Sequence, residues 1–559
     1  MLYVFLLVAL CVVVSWPIGK MATWAMSDPV SDRGFRRAVE NLFVKCGGNV
    51  VRGQQNWKQY ALSMLLFNAL IFTFIYLVLG TQQWLPLNPD GKGALEGSLI
   101  FNTTASFTSN TNLQHYSGEQ ALSYIGQFAL MFLQYLTPAT GLACLAALAR
   151  GLSGKVLMGN FYADVMRATF LVLLPLCLVT AGMLVLGGVI MTFDGSVVAQ
   201  TLEGAKQIIA RGPVAAFVTI KQLGTNGGGF FGPNSTHPFE NASFFTNFIE
   251  TMSIIVIPMA CVWMFGRLTG RMKHAAVIFA VMLSLLCVKL GCAVYFESAP
   301  SAAFHGLDIE NSSNLEGKEL RYGTSGGPAW SIITTATSNG SVNAMHDSLT
   351  PLGGMLVLFN MLLGEIIYGG VGSGLYGMIL FILLTVFIAG LMVGRTPDYL
   401  GKRIEGREIT WCMVALLACA TPILCFSAVA AVSSWGTGAL NNAGAHGLSE
   451  ILYAFTSGAQ NNGSAFAGLS ANVPVWNVLL ALAMFIGRFG VMLSMLVVAG
   501  SLAARKKRPI SDSSFPVEGP TFGLLLLGII FIVGALTYLP ALSLGPIVEQ
   551  FQMMRGMMF

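Results

Sequence analysis

Four short polar clusters hold the oxygen atoms through which this 559-residue chain could do chemistry. They read Ser109-Asn110-Thr111-Asn112, Thr225-Asn226-Gly227-Gly228, Thr337-Ser338-Asn339-Gly340 and Gln460-Asn461-Asn462-Gly463. Asn and Thr side-chain oxygens, like backbone carbonyls, are hard neutral ligands of the kind that replace the hydration shell of an alkali cation. None of the four clusters contains Asp or Glu, which speaks against Ca²⁺, since that ion usually recruits carboxylates. Monovalent binding follows, and this argument leaves K⁺ against Na⁺ open. The second cluster lies in the run Gly224 to Phe231, whose three consecutive glycines cannot hold a stable helix or strand. In lipid, irregular backbone survives only where protein shields it or a watery cavity receives its carbonyls. The run therefore reads as one wall of an ion filter.

The elements that must position these clusters are membrane helices. The chain is 55% hydrophobic and 10% charged with a mean hydropathy of +0.69, against about 25% charged residues in soluble domains. Segments long enough to cross, at about 20 residues each, fall near 2–19, 58–80, 121–149, 162–192, 244–266, 274–296, 347–394, 410–433, 474–503 and 520–545. Four shorter semi-apolar pieces, near 98–109, 213–224, 328–337 and 447–458, each end in one polar cluster. Their length suits re-entrant half-helices. The clusters recur about every 115–125 residues, so the unit is span, half-helix, polar turn, span, four times over. The expected fold is an all-α polytopic membrane protein with ten spans. The expected division is 1–57 first span and cytoplasmic loop, 58–150 repeat 1, 151–270 repeat 2, 271–408 repeat 3, 409–508 repeat 4 and 509–559 last span.

Charge fixes the orientation. The first 19 residues are apolar with the positives, Lys20, Arg33, Arg36 and Arg37, after them; a secretory signal has the opposite polarity. Basic clusters at Lys20–Arg52, Arg150–Arg167, Arg267–Lys273, Arg395–Arg407 and Arg505–Arg508 all become cytoplasmic if every half-helix dips in from outside. Both termini then lie outside. The net charge of +5 is thus a matter of topology, and nucleic acid is not an expected partner.

This orientation requires the long segment 347–394 to cross once, as an interrupted helix. The glycine-rich run Gly369, Gly370, Gly372 and Gly374 supplies the break, each glycine costing a helix about 1 kcal/mol relative to Ala. A flexible loop below the filter, able to gate it, is the expectation. Arg488, in Gly487-Arg488-Phe489-Gly490, puts a charge near mid-span, where such residues face a cavity or a partner. Below a cation filter it would repel the ion and limit leakage or steer the route. Glu365 is a candidate partner or coupling residue. Gly372 to Gly377 matches GxGxxG but lacks the strand and βαβ setting a nucleotide site needs. No GxxxxGK[ST] occurs and no soluble stretch could house an ATP domain, so any energy must come from elsewhere. The ten cysteines include no CxxC, and the six histidines no HExxH; the cysteines read as small core residues.

The motifs resemble the potassium-binding A subunits of the Kdp potassium-transporting ATPases over essentially the whole chain. The resemblance rests on Asn110 to Gln114 with Tyr116 to Glu119, Leu223 to Phe231, His237 to Asn241, Ala344 to Ser348, Gly369 to Gly377 with Gly394 to Pro397, and Asn461 to Leu469 with Gly487 to Gly490. It implies a superfamily fold of four M1-P-M2 units (span, pore helix, span) around a pseudo-fourfold axis, in the bacterial inner membrane. The chain itself would be the non-hydrolysing, K⁺-selecting subunit. Its implied partners are a P-type ATPase catalytic subunit, a third single-span subunit and a small single-span peptide. By the same likeness the filter residues are Asn110, Thr111 and Asn112; Thr225, Asn226 and Gly227; Ser338, Asn339 and Gly340; and Asn461, Asn462 and Gly463. Gln114 matches a position that influences ion affinity, and Arg488 the family's membrane-embedded basic residue. Two departures are Leu113, where the family often has an aromatic, and a first turn without glycine. The alternatives are a stand-alone K⁺ channel or an ion-coupled K⁺ transporter of the same architecture. An intramembrane enzyme finds no nucleophile–base pair in the spans.

Overall fold

A computed structural model describes residues 2–28, 34–300, 302, 308, 313–508 and 515–557; Arg33 lies outside them. Among the described residues ten helices are long and apolar enough to cross a membrane. They are Leu2–Met26, Trp57–Gly80, Tyr124–Leu152, Phe161–Leu186, Phe244–Thr269, Met272–Ser298, Ser373–Met392, Gly406–Val432, Pro474–Ala503 and Pro520–Met554. Among the described residues strand is confined to two small hairpins, Val197–Gln200 with Lys206–Ile209 and Asp398–Tyr399 with Lys402–Arg403.

The four half-helices are Gly97–Thr108, Val214–Leu223, Gly323–Ala336 and Gly444–Gln460. The third starts five residues before its expected first residue, 328, and the fourth is longer at both ends than expected. Each is wedged between the second span of its own repeat and the second span of the repeat before it. Gly97–Thr108 packs on Tyr124–Leu152 and on Pro474–Ala503, and Val214–Leu223 on Phe244–Thr269 and Tyr124–Leu152. Gly323–Ala336 packs on Pro351–Leu362 and Phe244–Thr269, and Gly444–Gln460 on Pro474–Ala503 and Pro351–Leu362. That rotation closes on itself after four steps, which is the pseudo-fourfold arrangement expected. Leu2–Met26 packs against Phe244–Thr269 from outside the ring.

The seventh span is one interrupted helix. Pro351–Leu362 and Ser373–Met392 flank a break over 363–372. The break is wider than the glycine run on its upstream side, and Ser373 and Gly374 already belong to the second half. Glu365 and Tyr368 adopt positive φ of 49° and 54° within it, a conformation that non-glycine residues hold only where the surroundings impose it.

Candidate functional site

The four polar turns repeat one backbone conformation. Residues one and three of each triplet are left-handed: Asn110 and Asn112 at φ 65° and 56°, Thr225 and Gly227 at 50° and 88°, Ser338 and Gly340 at 55° and 86°, Asn461 and Gly463 at 61° and 99°. The middle residues, Thr111, Asn226, Asn339 and Asn462, are not. All four middle residues are fully buried. A β-branched residue such as Thr225 at positive φ is an outlier; its hydroxyl is fixed by Gly224 O at 2.7 Å and by Val371 N–H at 3.1 Å.

Hydrogen bonds join each turn to the next in chain order. Asn110 Nδ2 donates to Thr225 O at 3.0 Å, and Asn339 Nδ2 donates to Lys221 O at 3.0 Å. Ser338 Oγ donates to Asn461 O at 2.9 Å, and Asn462 Nδ2 to Thr334 O at 3.0 Å. Asn461 Nδ2 closes the ring on Thr111 Oγ1 at 3.0 Å. All twelve residues named from the sequence therefore meet in one ring.

The glycines are there for contact. A Cβ on Gly227 would lie 1.8 Å from Asn339 O, on Gly340 2.2 Å from Asn462 O, and on Gly463 2.0 Å from Thr111 O. Backbone thus presses on the middle carbonyl of the following turn at three of four junctions. Among the described residues no hydrogen bond is donated to the carbonyls of Thr111, Asn226, Asn339 or Asn462. Buried carbonyls nearly always find a donor, so four left without one at equivalent places are oxygens free to serve as ligands. The half-helices end at the ring, where their C-terminal partial charge of about half an electron is negative. Those features together form a cage of neutral and partly negative oxygen, the chemistry that suits a bare cation.

Comparison with known proteins gives the family. Residues 5–551 match the family "Potassium-transporting ATPase A subunit". The chain belongs to that family. A potassium-transporting ATPase potassium-binding subunit from Nitratidesulfovibrio vulgaris is 54% identical over 524 residues, covering 93% of this chain and 92% of the relative. Proteins of the same name from Leptospira interrogans and Pseudomonas aeruginosa are 51% and 52% identical, covering 93% and 92% of this chain and 93% and 91% of theirs. The crystal structure of the potassium transporter TrkH from Vibrio parahaemolyticus superposes with a TM-score of 0.52 at 14% identity, covering 88% of this chain and 96% of that one. That likeness is one of fold. The bacterial relatives and ten spans make this A subunit a multi-pass protein of the inner membrane.

Around the ring, the A subunit places the remaining expected residues unequally. Gln114 clamps the second turn from outside: its Nε2 donates to Gly229 O at 3.0 Å and its Oε1 accepts from Gly229 N at 2.7 Å. Arg488 and Glu365 line one small cavity of about 50 Å³ with Ser338, Gln460, Asn461, Ser373 and Tyr376. They do not pair. Glu365 Oε1 accepts from Asn462 Nδ2 at 2.6 Å while its Oε2 is buried without a partner, and Arg488 Nη2 donates to Thr137 O at 3.1 Å. Both charges have found ring-side partners of their own, which removes the need for contact.

The loop expected to be flexible is tied down. Gly370 N donates to Thr337 O at 2.6 Å and Val371 N to Thr225 Oγ1. A Cβ on Gly141 would lie 2.4 Å from Val371 O, and one on Gly372 2.4 Å from Gly141 O. The loop therefore reaches from the third repeat to the diagonally opposite first one, crossing on the inner side of the ring. His237, from one of the motifs that carry the family resemblance, stacks flat on Phe231 at 3.8 Å between centroids. Sequence reasoning missed Thr137, whose hydroxyl donates to Asn110 Oδ1 at 2.8 Å, and Gln134, which reaches Asn112 at 3.4 Å. Both sit in an unbroken apolar helix, where only an isolated polar residue marks them.

Proposed function

We propose that the twelve-residue ring is the K⁺ filter of this subunit and that the carbonyls of Thr111, Asn226, Asn339 and Asn462 take over the ion's hydration shell. The observation that carries this is the set of four buried, donor-free carbonyls at equivalent places, three of them pressed against the glycine of the preceding turn. K⁺ enters from the outer side, sheds water at the ring, passes the loop over 363–372, and is handed to an ATP-hydrolysing partner. The loop, held as it stands by bonds to Thr337 O and Thr225 Oγ1, gates the ion by releasing them; Gly369, Gly370 and Gly372 within it and Gly374 at the start of the next helix supply the backbone freedom, and Glu365 and Arg488 bias the ion's position in the cavity below. This chain holds no ATP site in our reading. A third single-span subunit and a small single-span peptide complete the assembly, as the family likeness implies.

The energetics favour an ATP-driven partner over a passive pore. Each tenfold gradient requires about 1.4 kcal/mol, and a potential of 100 mV supplies only about 2.3 kcal/mol per charge, so scavenging from dilute K⁺ needs more. Gly227→Asp tests the filter: in the complete ATPase complex it is expected to weaken K⁺ activation and to relax the preference over other alkali ions. Unchanged K⁺ affinity in that variant discards the assignment. Rapid downhill flux through the purified chain alone would favour the channel reading instead.

A further inference from the structure

The fourfold likeness fails at one position, and the exception is charged. Four residues before the first residue of each triplet stand Ser106, Lys221, Thr334 and Ser457. In three repeats the hydroxyl there supports its own turn. Ser106 Oγ donates to Leu113 O at 2.9 Å, Thr334 Oγ1 to Asn339 Oδ1 at 3.3 Å, and Ser457 Oγ accepts from Gly463 N at 3.0 Å. Lys221 is fully buried in the C-terminal half of the second half-helix. Its Nζ donates to Asn234 Oδ1 at 2.7 Å, to Ser235 Oγ at 2.8 Å, and to Glu240 Oε2. Asn234 Nδ2 then donates to Gly227 O at 2.7 Å. The brace continues outward: Glu240 Oε1 accepts from Phe231 N at 2.8 Å, and Ser235 Oγ donates to Glu250 Oε2 at 3.0 Å. Glu250 also accepts from Gln222 Nε2 at 2.9 Å, and Gln222 Oε1 accepts from Ser341 Oγ just past the third turn.

We infer that Lys221, Asn234 and Glu240 are positioning residues that set the ion preference of the ring by fixing the carbonyl of Gly227. The reason lies in the glycine run. Gly227, Gly228 and Gly229 carry the least intrinsic conformational restriction of any residue, so this turn needs external support that the other three obtain from one hydroxyl. A hydrogen bond whose chain ends in an ammonium–carboxylate pair is stronger than a neutral one. Asn234 holds the Gly227 carbonyl back, which leaves the Asn226 carbonyl as the second turn's ring ligand. The brace is useful only if the ring is the filter, and the inference rests on that reading.

The experiment uses the complete ATPase complex carrying Asn234→Asp, with K⁺ and Rb⁺ as probes of ATP hydrolysis. Asp keeps an oxygen toward Lys221 but offers Gly227 O no donor. We expect the K⁺ concentration for half-maximal activity to rise about tenfold, the worth of one hydrogen bond of about 1.4 kcal/mol. The K⁺ over Rb⁺ ratio should fall while maximal turnover at saturating ion stays near wild type. Values of both within about twofold of wild type, below 0.5 kcal/mol, overturn the inference. The double variant Lys221→Met with Glu240→Gln removes both charges at similar volume, and is read in the same way if Asn234→Asp fails to assemble. Failure of both to assemble also overturns it, because the network would then serve folding and not selection. Gly340→Ala, measured in parallel, separates the two claims. If it shifts K⁺ activation and Asn234→Asp does not, the brace falls and the ring stands; if neither shifts it, the ring reading itself falls.

Discussion

The third and fourth turns are near copies of one another, whereas the first and second divide the same structure between them. Asn339-Gly340-Ser341 and Asn462-Gly463-Ser464 each let the middle Asn Oδ1 accept from the serine two residues on, at 2.9 and 3.0 Å to its N–H, and each glycine presses on the next turn's carbonyl. The first turn has Asn112 where the others have glycine. Its Cβ is accommodated by the second turn: a Cβ on Gly228 would lie 3.1 Å from Asn112 Cβ. Each glycine of the second turn thus has its own task. Gly227 faces the third turn, Gly228 receives Asn112, and Gly229 receives Gln114. The lesson is that close approach belongs to a junction, and either side of the junction can supply the missing side chain.

The comparison can be broken at a glycine that faces backbone. Gly463→Ala brings a Cβ to 2.0 Å from Thr111 O at φ 99°, with strain of roughly 1–3 kcal/mol before any clash. K⁺ activation of the complex is expected to weaken about 100-fold or more, equivalent to about 2.7 kcal/mol. A shift below tenfold would show that the junction is not close-packed.

A double-mutant cycle sharpens it. Gly228→Ala should weaken K⁺ activation by about tenfold, and Asn112→Gly in the same chain should recover most of that loss, since contacting residues couple by about 0.5–3 kcal/mol. Additive losses would mean that the two positions do not share a junction. Smaller again, Gln114→Leu removes both hydrogen bonds to Gly229. A loss of K⁺ affinity of about fivefold is expected, from two bonds of about 0.5 kcal/mol each, with maximal turnover retained.

The outer ends of the half-helices differ as well. The first is capped by Glu96, whose Oε2 accepts from Leu99 N at 2.9 Å. The fourth is held by His446, whose Nε2 lies 3.1 Å from Asp347 Oδ1 and whose Nδ1 lies 2.8 Å from Glu549 Oε1. Burial opposes protonation of His446, but the hydrogen bonds and charges of Asp347 and Glu549 outweigh it and raise its pKa from 6.5 to about 10. A raised pKa stabilises the fold fully below the ordinary value and loses that contribution as pH climbs through the raised one. His446→Gln should therefore lower the thermal midpoint at neutral pH, with the gap to wild type closing near pH 10. A gap independent of pH would show that the imidazolium is not what anchors this helix.

Much of the site was legible because its parts are local. Polar residues ending a half-length apolar segment stand out against the membrane, so the four clusters could be named, and the family likeness singled out the twelve ring residues within them. Boundaries were harder where composition misleads: Gly326-Gly327-Pro328 hid the first turn of the third half-helix, which begins at Gly323. The break in the seventh span was visible as glycine, yet it begins at Leu363, because Glu365 and Tyr368 take left-handed conformations that nothing in their residue types announces. Whether Glu365 meets Arg488 was not readable either, since each found a nearer partner on a different repeat.

The sequence by itself determined the ten spans and the four turns, because hydropathy and glycine content act over a few neighbouring residues. Only the tertiary structure decided which carbonyls are left without a donor, that the first turn borrows its glycine from the second, and that a buried lysine stands in for a hydroxyl behind one turn. The joins between turns depend on contacts between residues more than 100 positions apart and the lysine brace on contacts 13 to 19 positions apart, where packing sets distance and no local pattern records it.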